Sequence, residues 1–105
     1  MRRVKGNSAL LVVDALCADY SRRRELLLSG RVEHRTALEL RYLNFKILEA
    51  AAEIVGERDA EIMISEIGAN TGYARSKLFY MSESLYKTRK GEVIYNIARH
   101  LHLID

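Results

Sequence analysis

ISEIGANTGYARSKLFYMSESLYKTRK, residues Ile64–Lys90, is the stretch on which the reading of the fold turns. Gly72 stands where a tight reversal between two short helices needs a residue that adopts a left-handed backbone cheaply. Fixing that position fixes its neighbours. Ile67, five residues earlier, supplies an apolar contact, and Gly68 a small residue where two helices touch. Just past the turn, Tyr73 is expected in the core. Leu78 and Met81 follow six and nine residues beyond the glycine, and Leu85 continues their stripe. Thr71 alone departs, at a position that is usually apolar. The spacing predicts a helix-turn-helix whose second helix carries Ser76 to Lys87.

Working outward, the flanking sequence also reads as helical. Proline is absent from the 105 residues and glycine is sparse, so long helices are uninterrupted, whereas a sandwich or barrel needs many more turn residues. Met1–Gly6 is basic and expected to fray. A first helix is predicted to start at Asn7 or Ser8, with Leu10, Val13, Cys17 and Tyr20 on one face, and to stop at Gly30. Arg22, Arg23 and Arg24 near its end suit the helix dipole, or serve as phosphate contacts. A second helix is predicted from Glu33 or Thr36 to Val55, closed by Gly56. Its stripe of Leu40, Leu43, Ile47, Ala51 and Ile54, widened by Leu38, Phe45 and Leu48, makes it the central element of the core or part of a dimer interface. Asp59–Ile64 reads either as an extended stretch or as a helix capped by Asp59. After Gly91, the residues Val93, Ile94, Ile97, Ala98 and Leu101 predict a last helix.

The expected architecture is therefore all-α, a compact bundle of four to five helices in one domain, 1–105. Residues 1–58 form an N-terminal helical pair, and 59–105 form the helix-turn-helix with a C-terminal helix. Hydrophobic residues make up 49% of the chain and charged residues 30%, a globular rather than disordered balance.

Composition excludes several functions. A single cysteine, Cys17, rules out an internal disulfide and a cysteine-built zinc site. His100 and His102 point to different helix faces and His34 is remote, so no metal site is expected. The apolar run Ala9–Val13 is too short for a membrane span or a signal core, and a cytoplasmic location fits. Glu49 and Glu53 share a helix face and read as solvated charges. With no phosphate-cradling glycine loop and no serine or cysteine beside a recognisable base, no enzyme and no cofactor are expected.

Charge is distributed unevenly. Between Asn70 and His100 lie six cations, Arg75, Lys77, Lys87, Arg89, Lys90 and Arg99, against the two acids Glu83 and Glu92. Such a patch is either a solvated helix surface or a footprint for nucleic acid. On the predicted second helix, Leu78, Met81 and Leu85 face inward, while Ser76, Tyr80, Glu83 and Lys87 face out. Arg75, Ser76 and Tyr80 are then the candidates for base edges, and Lys77, Lys87, Arg89 and Lys90 for the phosphate backbone. Phe79, Tyr80 and Tyr86 have a second reading, as packing residues against another helix or subunit. Glu83 points outward and opposes phosphate.

Glu66-Ile67-Gly68, Gly72-Tyr73-Ala74-Arg75, and Leu85 with Lys87, Arg89 and Lys90 resemble the fourth conserved region of bacterial housekeeping sigma factors, and small phage-encoded regulators similar to it. The resemblance covers about a quarter of the chain. Ala74 replaces the usual Ser/Thr cap, Ser76 an acidic residue and Phe79 an often basic one. Glu39-Leu40-Arg41-Tyr42 is similar to the family's Arg-Tyr element, at a much longer separation, and the helix from Glu92 is additional. The resemblance implies a small transcription regulator of phage or mobile-element type that reads double-stranded DNA. A homodimer and a contact to RNA polymerase are the further partners it allows. The alternative is a non-catalytic helical protein–protein interaction module that uses the tyrosine-rich face.

Overall fold

Helix α3, His34–Val55, is the element around which the others assemble. A computed structural model describes residues 2–104, with side chains from Ser8 to Ile104. Leu43, Ile47, Ala50, Ala51 and Ile54 lie on one side of α3 and pack against α4, Glu57–Gly68, and α5, Glu83–His100. The remaining helices are α1, Arg2–Ala18, and α2, Tyr20–Ser29. α1 closes the core from the far side by packing on α4 and α5, while α2 rests mainly on α3. Among the described residues the fold is thus an all-helical bundle of five α-helices, as composition and periodicity predict.

Glycine ends two helices as expected. Gly30 is left-handed at φ 70°, and Gly56, at φ 87°, returns its N–H to the Ala52 carbonyl at 2.8 Å. Glu33 caps α3 by accepting from the Arg35 N–H at 3.1 Å. The undecided stretch Asp59–Ile64 is helical, with Asp59 inside the first turn of α4 rather than capping it.

Several boundaries differ from expectation. α1 begins at Arg2, not at Asn7 or Ser8, while Met1 and the basic side chains of the first residues lie outside the described part. The helix predicted to continue to Gly30 breaks at Asp19. There the Leu16 carbonyl accepts from the Arg23 guanidinium at 2.7 Å, and a side chain inserted into the i→i−4 ladder is a known cause of a kink. Buried Arg23, 2% exposed, also donates to Asn44 Oδ1 at 2.6 Å and to Asp19 at 3.3 Å. Leu38 and Phe45, expected to widen the core stripe of α3, are exposed instead.

The largest correction concerns the predicted second helix of the helix-turn-helix. α4 ends as read, but the left-handed residue after it is Asn70, φ 54°, not Gly72, which is extended at φ −84° and ψ 168°. Asn70 closes α4 with the Thr71 N–H bonded to the Glu66 carbonyl at 2.9 Å, the usual chemistry of a left-handed helix stop. A single 3-10 turn, Tyr73–Arg75, follows, and residues 76–82 are not helical. α5 then starts at Glu83 and runs straight through Gly91, where the last helix was expected to begin.

The reason is local competition for backbone N–H groups. The Lys77 N–H donates to Glu66 Oε2 at 2.7 Å and the Leu78 N–H to Ser76 Oγ at 2.8 Å, so neither joins a helical ladder. Ser82 accepts from the Leu85 N–H at 3.1 Å and starts a new helix there. Leu78 and Met81 are buried as predicted, but from a loop; Leu85 is 39% exposed.

Candidate nucleic-acid interface

Glu66, in the last turn of α4, organises the segment that follows. It is buried, and three donors converge on it: the Ser76 hydroxyl at 2.7 Å, the Tyr86 hydroxyl at 2.7 Å and the Lys77 N–H at 2.7 Å. A buried carboxylate is tolerated only when its lone pairs are filled in this way. Burial and the neighbouring Glu66 carboxylate push the Tyr86 phenol up to about 12, so it remains a donor at neutral pH. Tyr73 packs its ring 5.7 Å from that of Tyr86 and donates to the Met81 carbonyl at 2.6 Å, which closes the loop on itself.

This clamp aims two of the predicted residues. Arg75 and Lys77 line a cleft of about 340 Å³ whose opposite wall is the kink between α1 and α2, contributing Cys17, Tyr20, Ser21 and Arg24. Three cations from two chain segments, α2 and the α4–α5 connection, therefore line one cleft, together with the hydroxyl residues Ser21, Ser65 and Thr71. Two carboxylates also line it, Glu66, held by its three donors, and Glu61. The two oxygens of Glu61 accept from Arg24 at 3.1 and 3.2 Å and from the Tyr20 hydroxyl at 3.0 Å. The Arg75 and Lys77 side chains form no hydrogen bond or ion pair among the described residues, so their charge faces solvent.

The other predicted contacts divide. Lys87 and Arg89 are on the first turns of α5, paired with Glu83 at 3.0 Å and Glu92 at 2.8 Å. Exposed pairs within one helix are worth little and exchange readily with a phosphate. Lys90 is tied inward, donating to the Thr71 carbonyl at 2.7 Å with its ammonium 5.7 Å over the Tyr86 ring. Ser76, placed at the base edges by the helical reading, is 7% exposed with its hydroxyl bonded to Glu66, so it cannot meet a base. Tyr80 is exposed but lies over the first turn of α4, away from Arg75 and Lys77. Its hydroxyl bonds to Asp59, which holds the Asp59 carboxyl below the usual range with help from Arg58, and Arg58 lies 5.6 Å over the ring.

The arginine triplet is resolved residue by residue. Arg22 pairs with Asp19 at 2.6 Å, Arg23 is structural, and only Arg24 reaches the cleft. Periodicity missed the Glu66 clamp, because a carboxylate at an outward-looking position gives no sign of burial; the buried Tyr86 twenty residues on is its one correlate. Elsewhere, Glu53 is not a bare solvated charge. It accepts from Asn96 at 2.8 Å and lies 2.9 Å from His100 Nε2, joining α3 to α5. Burial pushes the Cys17 thiol up to about 12, which makes it a packing residue rather than a nucleophile. Among the described residues, no group of three or more His, Cys, Asp or Glu is arranged to hold a metal ion, and no helix is long and apolar enough to cross a membrane. Compared with known protein families, known proteins and solved structures, the chain finds no match.

Proposed function

We propose that this protein docks on double-stranded DNA through the cleft rimmed by Arg24, Arg75 and Lys77, with Lys87 at the start of α5 extending the contact, while Arg89 faces the groove beside Ile54 and Tyr95. The observation that carries the reading is the convergence of three cations from two chain segments on one concave surface, two of them without partners among the described residues. The first two turns of α5 add an exposed polar strip, Ser84, Lys87 and Thr88, anchored beneath by buried Tyr86. In place of an inserted recognition helix, the clamped loop and the first turns of α5 meet the backbone. Such a surface favours phosphate contacts over base reading, because the cations are at the rim and the hydroxyl of Ser76 is spent. The role of a small regulator of transcription of phage or mobile-element type rests on the sequence resemblance of Glu66–Lys90 to a sigma-factor region alone, since residues 76–82 form a loop where that region has its recognition helix.

Fluorescence polarisation with a random-sequence duplex across a salt series tests this. Four phosphate contacts give log K falling against log salt with a slope of about −3.6. An affinity that stays flat as salt rises would contradict phosphate docking.

A second reading, a protein-interaction module, is favoured by a different observation, the exposed apolar residues on the outer face of α3. The two readings use separate surfaces.

A further inference from the structure

On α3, at about 100° of turn per residue, Leu38, Phe45 and Ala52 fall on one line opposite the core residues Leu43, Ile47 and Ile54. Tyr42 and Leu48 flank that line. Leu38 is 50% exposed, Tyr42 65% and Phe45 57%, and a shallow groove of about 410 Å³ runs beside them, lined by Phe45, Leu48, Glu49, Ala52, Glu53 and Glu57. A single exposed leucine is ordinary, but large apolar side chains in register along one helix form a surface for another helix.

We infer that this face is the interface of a two-fold homodimer, in which α3 packs antiparallel against α3 of a second copy with Phe45 near the axis. Charge along the helix selects both the partner and the direction. The first half carries Arg35 and Arg41 against Glu39, and the second half carries Glu49 and Glu53 against Lys46, while the flanking charges cancel, Arg31 with Glu33 before the helix and Glu57 with Arg58 after it. Arg35 and Arg41 are exposed, and their side chains have no hydrogen bond or ion pair among the described residues. A parallel pair lays like charge on like. An antiparallel pair lays the basic half of each copy along the acidic half of the other, bringing Arg35 alongside Glu53 and Glu57 of the second copy and the Tyr42 hydroxyl beside its Glu49. The arrangement repeats itself about the two-fold axis, so one patch serves both copies. A single helix pair is at the small end of stable interfaces, so the dimer dissociates on dilution.

Sedimentation of the full chain over a concentration series tests the inference, and none of its readouts involves DNA. The expected result is a concentration-dependent dimer that Phe45→Glu converts to monomer with an unchanged helical circular dichroism spectrum, since Phe45 lies outside the core. Direction is read by oxidising an equal mixture of Leu38→Cys and Ala52→Cys chains, because native Cys17 is buried. Cross-linking between the two variants supports the antiparallel arrangement. A wild-type monomer at the highest soluble concentration would overturn the inference. So would a Phe45→Glu chain that dimerises as the wild type does, or cross-links forming only within each variant.

Discussion

The two halves of Ile64–Lys90 share one apolar periodicity and behave differently. Up to Gly68 the chain is helix, with Met63, Ile64 and Ile67 buried. Beyond Asn70 the same kind of spacing buries Leu78 and Met81, yet the backbone between them is a loop. In the first half nothing competes with the ladder. In the second, the Glu66 carboxylate and the Ser76 hydroxyl take the N–H groups of Lys77 and Leu78. Apolar spacing therefore identifies which side chains are inside, while polar competitors decide the backbone that carries them. The two glycines make the same contrast. A Cβ on Gly68 would lie 2.6 Å from the Ala18 Cα and backbone N, whereas one on Gly72 would meet nothing within 4 Å. Gly68 is small because a helix crosses there, but the helix is α1, from the other end of the chain.

Gly68→Ala sharpens this contrast most. It forces backbone against backbone and is expected to destabilise by about 3 kcal/mol, read as a lowered denaturant midpoint. Gly72→Ala is expected to be nearly silent in the same measurement, and a large loss there would restore the tight turn. Next in size is Glu66→Gln, which sets an amide donor against three donors. A loss of about 2 kcal/mol is expected, with faster amide hydrogen exchange at Lys77 and Leu78. If exchange accelerates no more there than elsewhere, the clamp does not hold the loop.

Asp59 gives a smaller, pH-dependent test. Its carboxyl is held below its ordinary value of 3.8, first by the Tyr80 hydroxyl and then by Arg58. The stabilisation is therefore complete above 3.8 and is lost as pH falls through the lower folded value. Tyr80→Phe should reduce stability at neutral pH by less than about 1 kcal/mol, because Tyr80 and Arg58 are themselves exposed even though Asp59 is buried, and should flatten the acid limb of thermal melts. Smallest, and of opposite sign, is Gly91→Ala. The glycine is mid-helix and open to solvent, so alanine is expected to raise stability by about 0.5–1 kcal/mol. No gain would place a helix boundary at Gly91 after all.

The helical class, the central α3, its closing Gly56 and the burial of Val13, Cys17, Ile47, Ile67, Leu78 and Met81 were legible in the sequence, because each rests on local spacing or on one residue's backbone preference. What was not legible depends on distant partners. Nothing near Arg23 announces that Asn44 and the Leu16 carbonyl will bury it and break the first helix. Nothing near Glu66 shows that Tyr86 will reach back to it. Other boundaries do carry a local signal. Asn70 is a familiar helix stop, and Ser82 followed by Glu83 is a familiar helix start; both were outweighed by the continuity of the apolar stripe. Of the candidate contacts, Arg75 and Lys77 share one cleft, Lys87 and Arg89 stand on α5, and Ser76 and Lys90 are turned to structural work.

The central claim is that particular cations, rather than net charge, bind DNA. Duplex affinity across a salt series, compared between Arg75→Ala/Lys77→Ala and Arg31→Ala/Arg99→Ala, tests it directly, since both variants lose the same charge. The account predicts that the first variant weakens binding and makes the salt slope shallower by about 2, while the second follows the wild type. Equal losses in the two variants, or a first variant indistinguishable from wild type, would contradict it.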